Sequence, residues 1–329
     1  LPGTYVEGSP QVVIDRDLEI RGTDRDTTIV TPGGDTGSAN TDVRGWFLVT
    51  ADTKLDISGM TFDGDGFQIH QAFRQLGTGS FDDTAFRNIG FGAYAGIAVS
   101  ARGGVGPVDV TNSTFDDIGR IGVHFFGAGT TGTYSGNTYT GQGDGDHLDY
   151  AIEVGGGAVA TITDSVVSGN TGVAASDGSG SAGVLVSTFF GGGTAAEIDG
   201  LTVTDSSIGV AVGFNDADTS ELVVRNSTIT TNRFGLVVRG GTALVESTDL
   251  NDNVRAGIFV TGGAVVYAGQ ATPGTDFTGL GVSAGGNDFS SYDDTSRDVG
   301  DDGAAIVNAN TNPPNDESGP QGPPHDLTA

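Results

Sequence analysis

The sequence predicts an all-β fold in which a single chain winds into a parallel β-helix of about ten coils. Three observations carry that prediction. A Gly-aliphatic-x-aliphatic element recurs as Gly96-Ile-Ala-Val99, Gly122-Val-His-Phe125, Ala151-Ile-Glu-Val154, Gly183-Val-Leu-Val186, Gly209-Val-Ala-Val212, Gly235-Leu-Val-Val238 and Gly257-Ile-Phe-Val260, in steps of 26, 29, 32, 26, 26 and 22 residues. A period in the twenties marks stacked coils, whereas a propeller blade needs about 40–50 residues. Apolar residues make up 36% of the 329 positions and glycine fills 57, so short strands and turns are favoured over helical stripes. Asn or Asp beside Ser or Thr punctuates the repeats, the composition of tight corners.

In chain order, Leu1-Pro-Gly-Thr-Tyr-Val-Glu7 and the alternating Val12–Gly22 segment form an opening coil. Residues 23–45 read as a polar loop projecting from the first coils. Trp46–Val49 and Leu55–Phe62 resume the alternation. Phe62, Phe86, Phe115, Tyr139, Val167, Val203, Ile229 and Leu250 occupy equivalent places after the turn, so they are expected to point inward and stack at about 4.8 Å per coil. Asn88, Asn112, Asn137, Asp164, Asp205, Asn226 and Asn232 are expected at corners, where such residues tolerate left-handed backbone. Asn112 and Asn226 also begin Asn-Ser-Thr glycosylation patterns, but the corner role takes precedence. The period breaks after Tyr267. Residues 1–309 are therefore assigned to the helix, with 264–309 as an irregular terminal cap, and the Pro-rich stretch 310–329 as a linker or tail.

The Pro-Gly-x-Tyr-x-Glu run at residues 2–7, the alternating strand that ends in Gly22 and the degenerate coils that follow resemble right-handed parallel β-helix proteins of the pectin-lyase-like superfamily. The resemblance covers roughly residues 1–290. It implies a right-handed winding, and it spans lyases, hydrolases, esterases, epimerases and proteins without activity, so it narrows function little. Gln68–Arg74 echoes a pectin methylesterase fragment, but that family's paired catalytic Asp motif is missing.

Charge and composition remove several partners. The formal charge of −28, with Lys54 the only lysine, disfavours nucleic acid and anionic lipid. No apolar run is long enough to span a bilayer, so membrane insertion is not expected. There is no cysteine, hence no disulfide or thiolate metal site. The chain reads as a piece of a longer secreted protein, placed outside the cell or on its surface.

Candidate chemistry comes from the coil alignment. If Val123 and Phe125 point inward, His124 points outward and Glu153 follows it one coil later, in a column Ala98, His124, Glu153, Leu185, Ala211, Val237, Phe259. His124 and Glu153 with Arg120 form a candidate catalytic group: an imidazole and carboxylate for proton transfer, and a guanidinium to neutralise a uronate. Lyases of the resembling class need a strong base, commonly Lys or Arg, together with calcium-holding acids, and the one lysine, Lys54, lies far away in sequence. Longer steps place insertions at 140–150 and 172–182, where His147, Asp149 and Tyr150 are candidate substrate-binding residues. Asp63-Gly-Asp65 and Asp144-Gly-Asp146 are candidate cation ligands, calcium being the expected ion, although neither continues as an EF-hand loop.

These features lead to a structural or adhesive module whose face binds a polysaccharide or a surface protein. The alternatives are a lyase or epimerase acting on acidic polysaccharide, and a filament subunit that self-associates through the ends of the helix. A cleft over His124 would favour the enzyme and a flat face the module.

Overall fold

In the computed structural model, residues 1–8, 11–104, 106–188, 192–269, 299–302 and 305–308 are described. The expected coil around Gly285–Phe289 and the tail 310–329 lie outside them. Among the described residues the strands assemble into two sheets, one of 18 strands and one of 11, and every strand pairing within them is parallel. One complete coil illustrates the plan. Val108–Thr111 and Thr114–Ile118 lie in the larger sheet, the Gly119-Arg120 corner follows, and Ile121–Phe126 lies in the smaller sheet. Each segment then pairs with the equivalent segment of the next coil. Parallel stacking is what a 26-residue repeat demands, because like residues return to like positions one strand spacing away.

The expected inward stack forms. Phe62, Phe86, Phe115, Tyr139, Val167, Val203 and Ile229 follow one another in register, and Leu250 is buried with them. Phe62 and Phe86 stack at 5.6 Å between ring centres, and Phe86 and Phe115 at 5.2 Å. Each such ring, fully removed from water, stabilises the coil by about 1.5–3 kcal/mol. The stack belongs to one core cluster that runs from Ile14 to Ala268.

The recurrent glycine has a steric cause. In the smaller sheet two successive residues face the core, as with Ala98-Val99 and Ala151-Ile152. The first of the two sits against the inward stack. A Cβ on Gly122 would lie 2.8 Å from the Tyr139 ring, on Gly183 2.7 Å from Val203, and on Gly209 2.4 Å from Ile229. Small residues at this place leave room for the large ones, so both recur together.

Three expectations are corrected. Thr28–Pro32, assigned to a projecting loop, is a strand paired with Gly3–Glu7 and Lys54–Asp63, because its Thr-Ile-Val core alternates well enough to join the sheet. Asn88, Asn112, Asp164, Asp205 and Asn226 do take left-handed backbone, but Asn137 and Asn232 do not. These two are buried and bond inward. Asn137 accepts from the Ser113 amide and donates to the Val110 carbonyl, and Asn232 accepts from the Ser206 amide and donates to the Val203 carbonyl. Buried backbone groups at the bend need partners, and an amide side chain supplies both a donor and an acceptor.

The third correction concerns frame. Ile97 pairs with Ile121 and Ser100 with His124, so Ser100, not Ala98, precedes His124 in its column. Gly96 and Gly122 look equivalent in sequence but do different work. Gly96 turns the corner at φ +143, whereas Gly122 lies within its strand beneath Tyr139.

Candidate functional site

The smaller sheet carries the candidate site on its outer side. The His124 column reads Leu48, Arg74, Ser100, His124, Glu153, Leu185, Ala211, Val237, Phe259 in direct register. His124 and Glu153 are therefore one strand spacing apart, and His124 Nε2 lies 3.6 Å from Glu153 Oε1. The polar part of the column is longer than the sequence alignment indicated, beginning at Arg74.

Outward does not mean open here. His124 is only 7% exposed, its ring packs 5.0 Å from that of Phe126, and neither ring nitrogen has a hydrogen-bond partner. Burial, reinforced by the nearby Arg102 and Arg120, pushes the His124 pKa down to about 3. Burial also raises Glu153, with Arg120 and Arg102 pulling the other way. At neutral pH the imidazole is thus uncharged, and the contact with Glu153 is not an ion pair.

The cations around this pair were only partly legible. Arg120 lies 5.9 Å over the Tyr150 ring, and Arg102 4.5 Å over Phe126. Neither guanidinium makes a hydrogen bond or ion pair among the described residues. Arg74, by contrast, is held by Asp42 at 2.7 Å. The Arg102 pKa is itself lowered, mainly by burial and then by Arg74 and Arg44, while Arg102 and Arg120 both act on His124, in a chain with net charge −28. Arg102 pairs in register with Phe126, two residues beyond the Ser100–His124 pair, so the two-residue frame offset concealed it.

The remaining candidates separate. Asp149 is fully buried and has no surface for a ligand on the outer face, correcting its assignment to substrate binding. It accepts from the Tyr139 hydroxyl and the Gln142 amide, and its own amide donates to Ser181, so it ties the 140–149 loop to the body. Burial raises its pKa to about 6. Tyr150 is buried, 7% exposed, in a cluster with Ile97, Ile121 and Ala182. His147 lies between Gly145 and Gly172, and Asp146 accepts from the Ala175 amide, so the two inserted loops grip each other.

The acidic pairs do not converge. Asp63 is occupied by Arg87, Asn88 and the Asp65 amide, and its pKa is lowered. Asp65 and Asp144 are exposed. Among the described residues no group of three or more His, Asp or Glu side chains is placed to hold a metal ion, and no helix is long and apolar enough to cross a membrane.

Comparison with known proteins places this geometry. No curated protein matches the sequence. Among solved structures, the A-module of the mannuronan C-5 epimerase AlgE6 from Azotobacter vinelandii is similar over 98% of this chain and 88% of its own, at 15% identity and a TM-score of 0.52. The catalytic domain of a GH87 alpha-1,3-glucanase in complex with nigerose is similar over 98% of this chain and 62% of its own, at 15% identity and a TM-score of 0.46. At 15% identity the likeness to the epimerase module is one of fold. The family model described as a right handed beta helix region matches residues 95–272, more than half of the chain, and the protein belongs to that family.

Proposed function

We propose that the chain is an extracellular or surface-attached β-helix module that binds acidic polysaccharide on the outer side of its smaller sheet. The observation that carries this reading is the pair of unpartnered guanidiniums, Arg102 and Arg120, set over aromatic rings on either side of Glu153. Guanidinium groups recognise carboxylates through paired, charge-assisted hydrogen bonds. The overall negative charge opposes a polyanion at long range, but screening at physiological salt confines that opposition to about 8 Å, and the arginines act within it.

Binding is favoured over catalysis because the His124 nitrogens are covered. A second reading, epimerase or lyase, is supported by the uncharged imidazole beside a carboxyl group whose pKa is raised, the arrangement proton transfer at a uronate would use.

The test is calorimetric titration with oligogalacturonate and oligomannuronate, with and without calcium. Arg102→Ala and Arg120→Ala should each weaken binding about tenfold, the loss of one charge-assisted hydrogen bond. Binding unchanged in both variants would remove the proposal. Parallel incubation, followed by ultraviolet absorbance of unsaturated uronates and by deuterium uptake at the sugar carbons, would establish the second reading if either signal appears and disappears in His124→Ala.

A further inference from the structure

The geometry points to a second carbohydrate site, for neutral sugars, in a groove along the corner between the two sheets. The groove encloses about 300 Å³ and is lined by Phe67, Gln68, Asn88, Asp117 and Gln142 over a floor of glycines. These residues come from the corners of four successive coils, so the groove follows the helix axis for about three strand spacings, roughly 14 Å. That volume is at the lower end for a small-ligand site.

Its polar groups are unusually arranged. Asn88 donates through its side-chain nitrogen to Asp63, which leaves its carbonyl oxygen unclaimed. Gln142 donates to the Ile118 carbonyl, which likewise leaves its oxygen unclaimed. Gln68 accepts from the Gly92 amide, which leaves its NH2 group unclaimed. Asp117 is exposed, with a left-handed backbone, and makes no side-chain hydrogen bond among the described residues. Each amide is thus held at one end and presents the other, while the carboxylate stays available.

Acceptors on Asn88, Gln142 and Asp117 and a donor on Gln68, all lining one groove, match adjacent hydroxyl groups, which donate and accept at once. Fixing one end of each amide in advance spares part of the ordering cost of binding. Aromatic surface completes the set. Phe67 is 36% exposed on the wall, and Tyr94, 58% exposed, stands on the Phe91–Ala95 turn that forms the rim. A ring face against the C–H side of a sugar is the apolar half of such recognition. Asp117 and the absence of any cation in the lining select against uronates here, in contrast to the Arg102 face.

The site is tested by titrating the whole chain with cellobiose, maltose, laminaribiose and chitobiose, with digalacturonate as the charged comparison. At least one neutral disaccharide should bind, and digalacturonate should not compete for the same site. Asp117→Gly keeps the left-handed corner and removes the carboxylate, and it should weaken neutral binding about tenfold. Phe67→Ala should weaken it several-fold. Both positions are exposed, and circular dichroism checks that each variant folds. Arg102→Ala should leave neutral binding unchanged, so failure of this site and failure of the arginine face are separable. The inference is overturned if none of the four disaccharides binds, if binding survives both substitutions, or if digalacturonate displaces the neutral sugar.

Discussion

At His124, position in the column and chemical state have different origins. The alternation within Ile121–Phe126 sends the side chain outward, and the register sets Glu153 beside it. Both could be read from residue types. Its covering could not, since only Phe126 comes from the same strand, while Arg102 and Arg120 approach from a neighbouring strand and a corner. The enclosure has a measurable consequence. An unfolded histidine binds a proton as pH falls through about 6.5, whereas the folded imidazole resists until about 3. Between those values the unfolded state holds more protons, so stability declines as pH drops through that window. Urea unfolding at about pH 6.5 and pH 4.5 should show the native chain losing roughly 2–3 kcal/mol more than His124→Leu. Parallel losses would mean that the imidazole is not buried in its neutral form.

Elements are joined by two kinds of corner asparagine that look alike in sequence. Asn226 supplies a left-handed bend at φ +48, and its side chain bonds to Asp199 at the surface. Asn232 is buried and satisfies the Ser206 amide and the Val203 carbonyl from neighbouring coils. Removing the second leaves the Ser206 amide without its partner inside the coil, while glycine replaces the first with little penalty. Asn232→Ala is therefore expected to cost about 1–3 kcal/mol and Asn226→Gly under about 1 kcal/mol, as read from denaturant midpoints. Similar losses from both would dissolve the distinction. Sequence reading assigned them one role because turn propensity belongs to the residue type, whereas the direction of the side chain depends on which carbonyls the adjacent coils present.

For the whole molecule, a net charge of −28 on a narrow solenoid produces self-repulsion that added salt relieves. Going from about 0.01 M to 0.15 M salt shortens the screening length from about 30 Å to 8 Å. The melting temperature should rise over that range, while affinity for acidic oligosaccharide at Arg102 and Arg120 should fall. If both moved in one direction, the local arginine patch would not be acting independently of the net field. The sequence by itself determined the parallel winding, the stack from Phe62 to Leu250, the two inserted loops and the adjacency of His124 and Glu153. All of these follow from a short pattern repeated in phase, since each coil contacts its neighbours in the same register. Only the tertiary structure decided that Asp149 is a buried clamp, that Ser100 rather than Ala98 joins the column, and that Arg102 completes a cationic patch. Those outcomes depend on how corners and loops of different lengths fold back over the rungs, and burial there is a property of several coils at once rather than of any one of them.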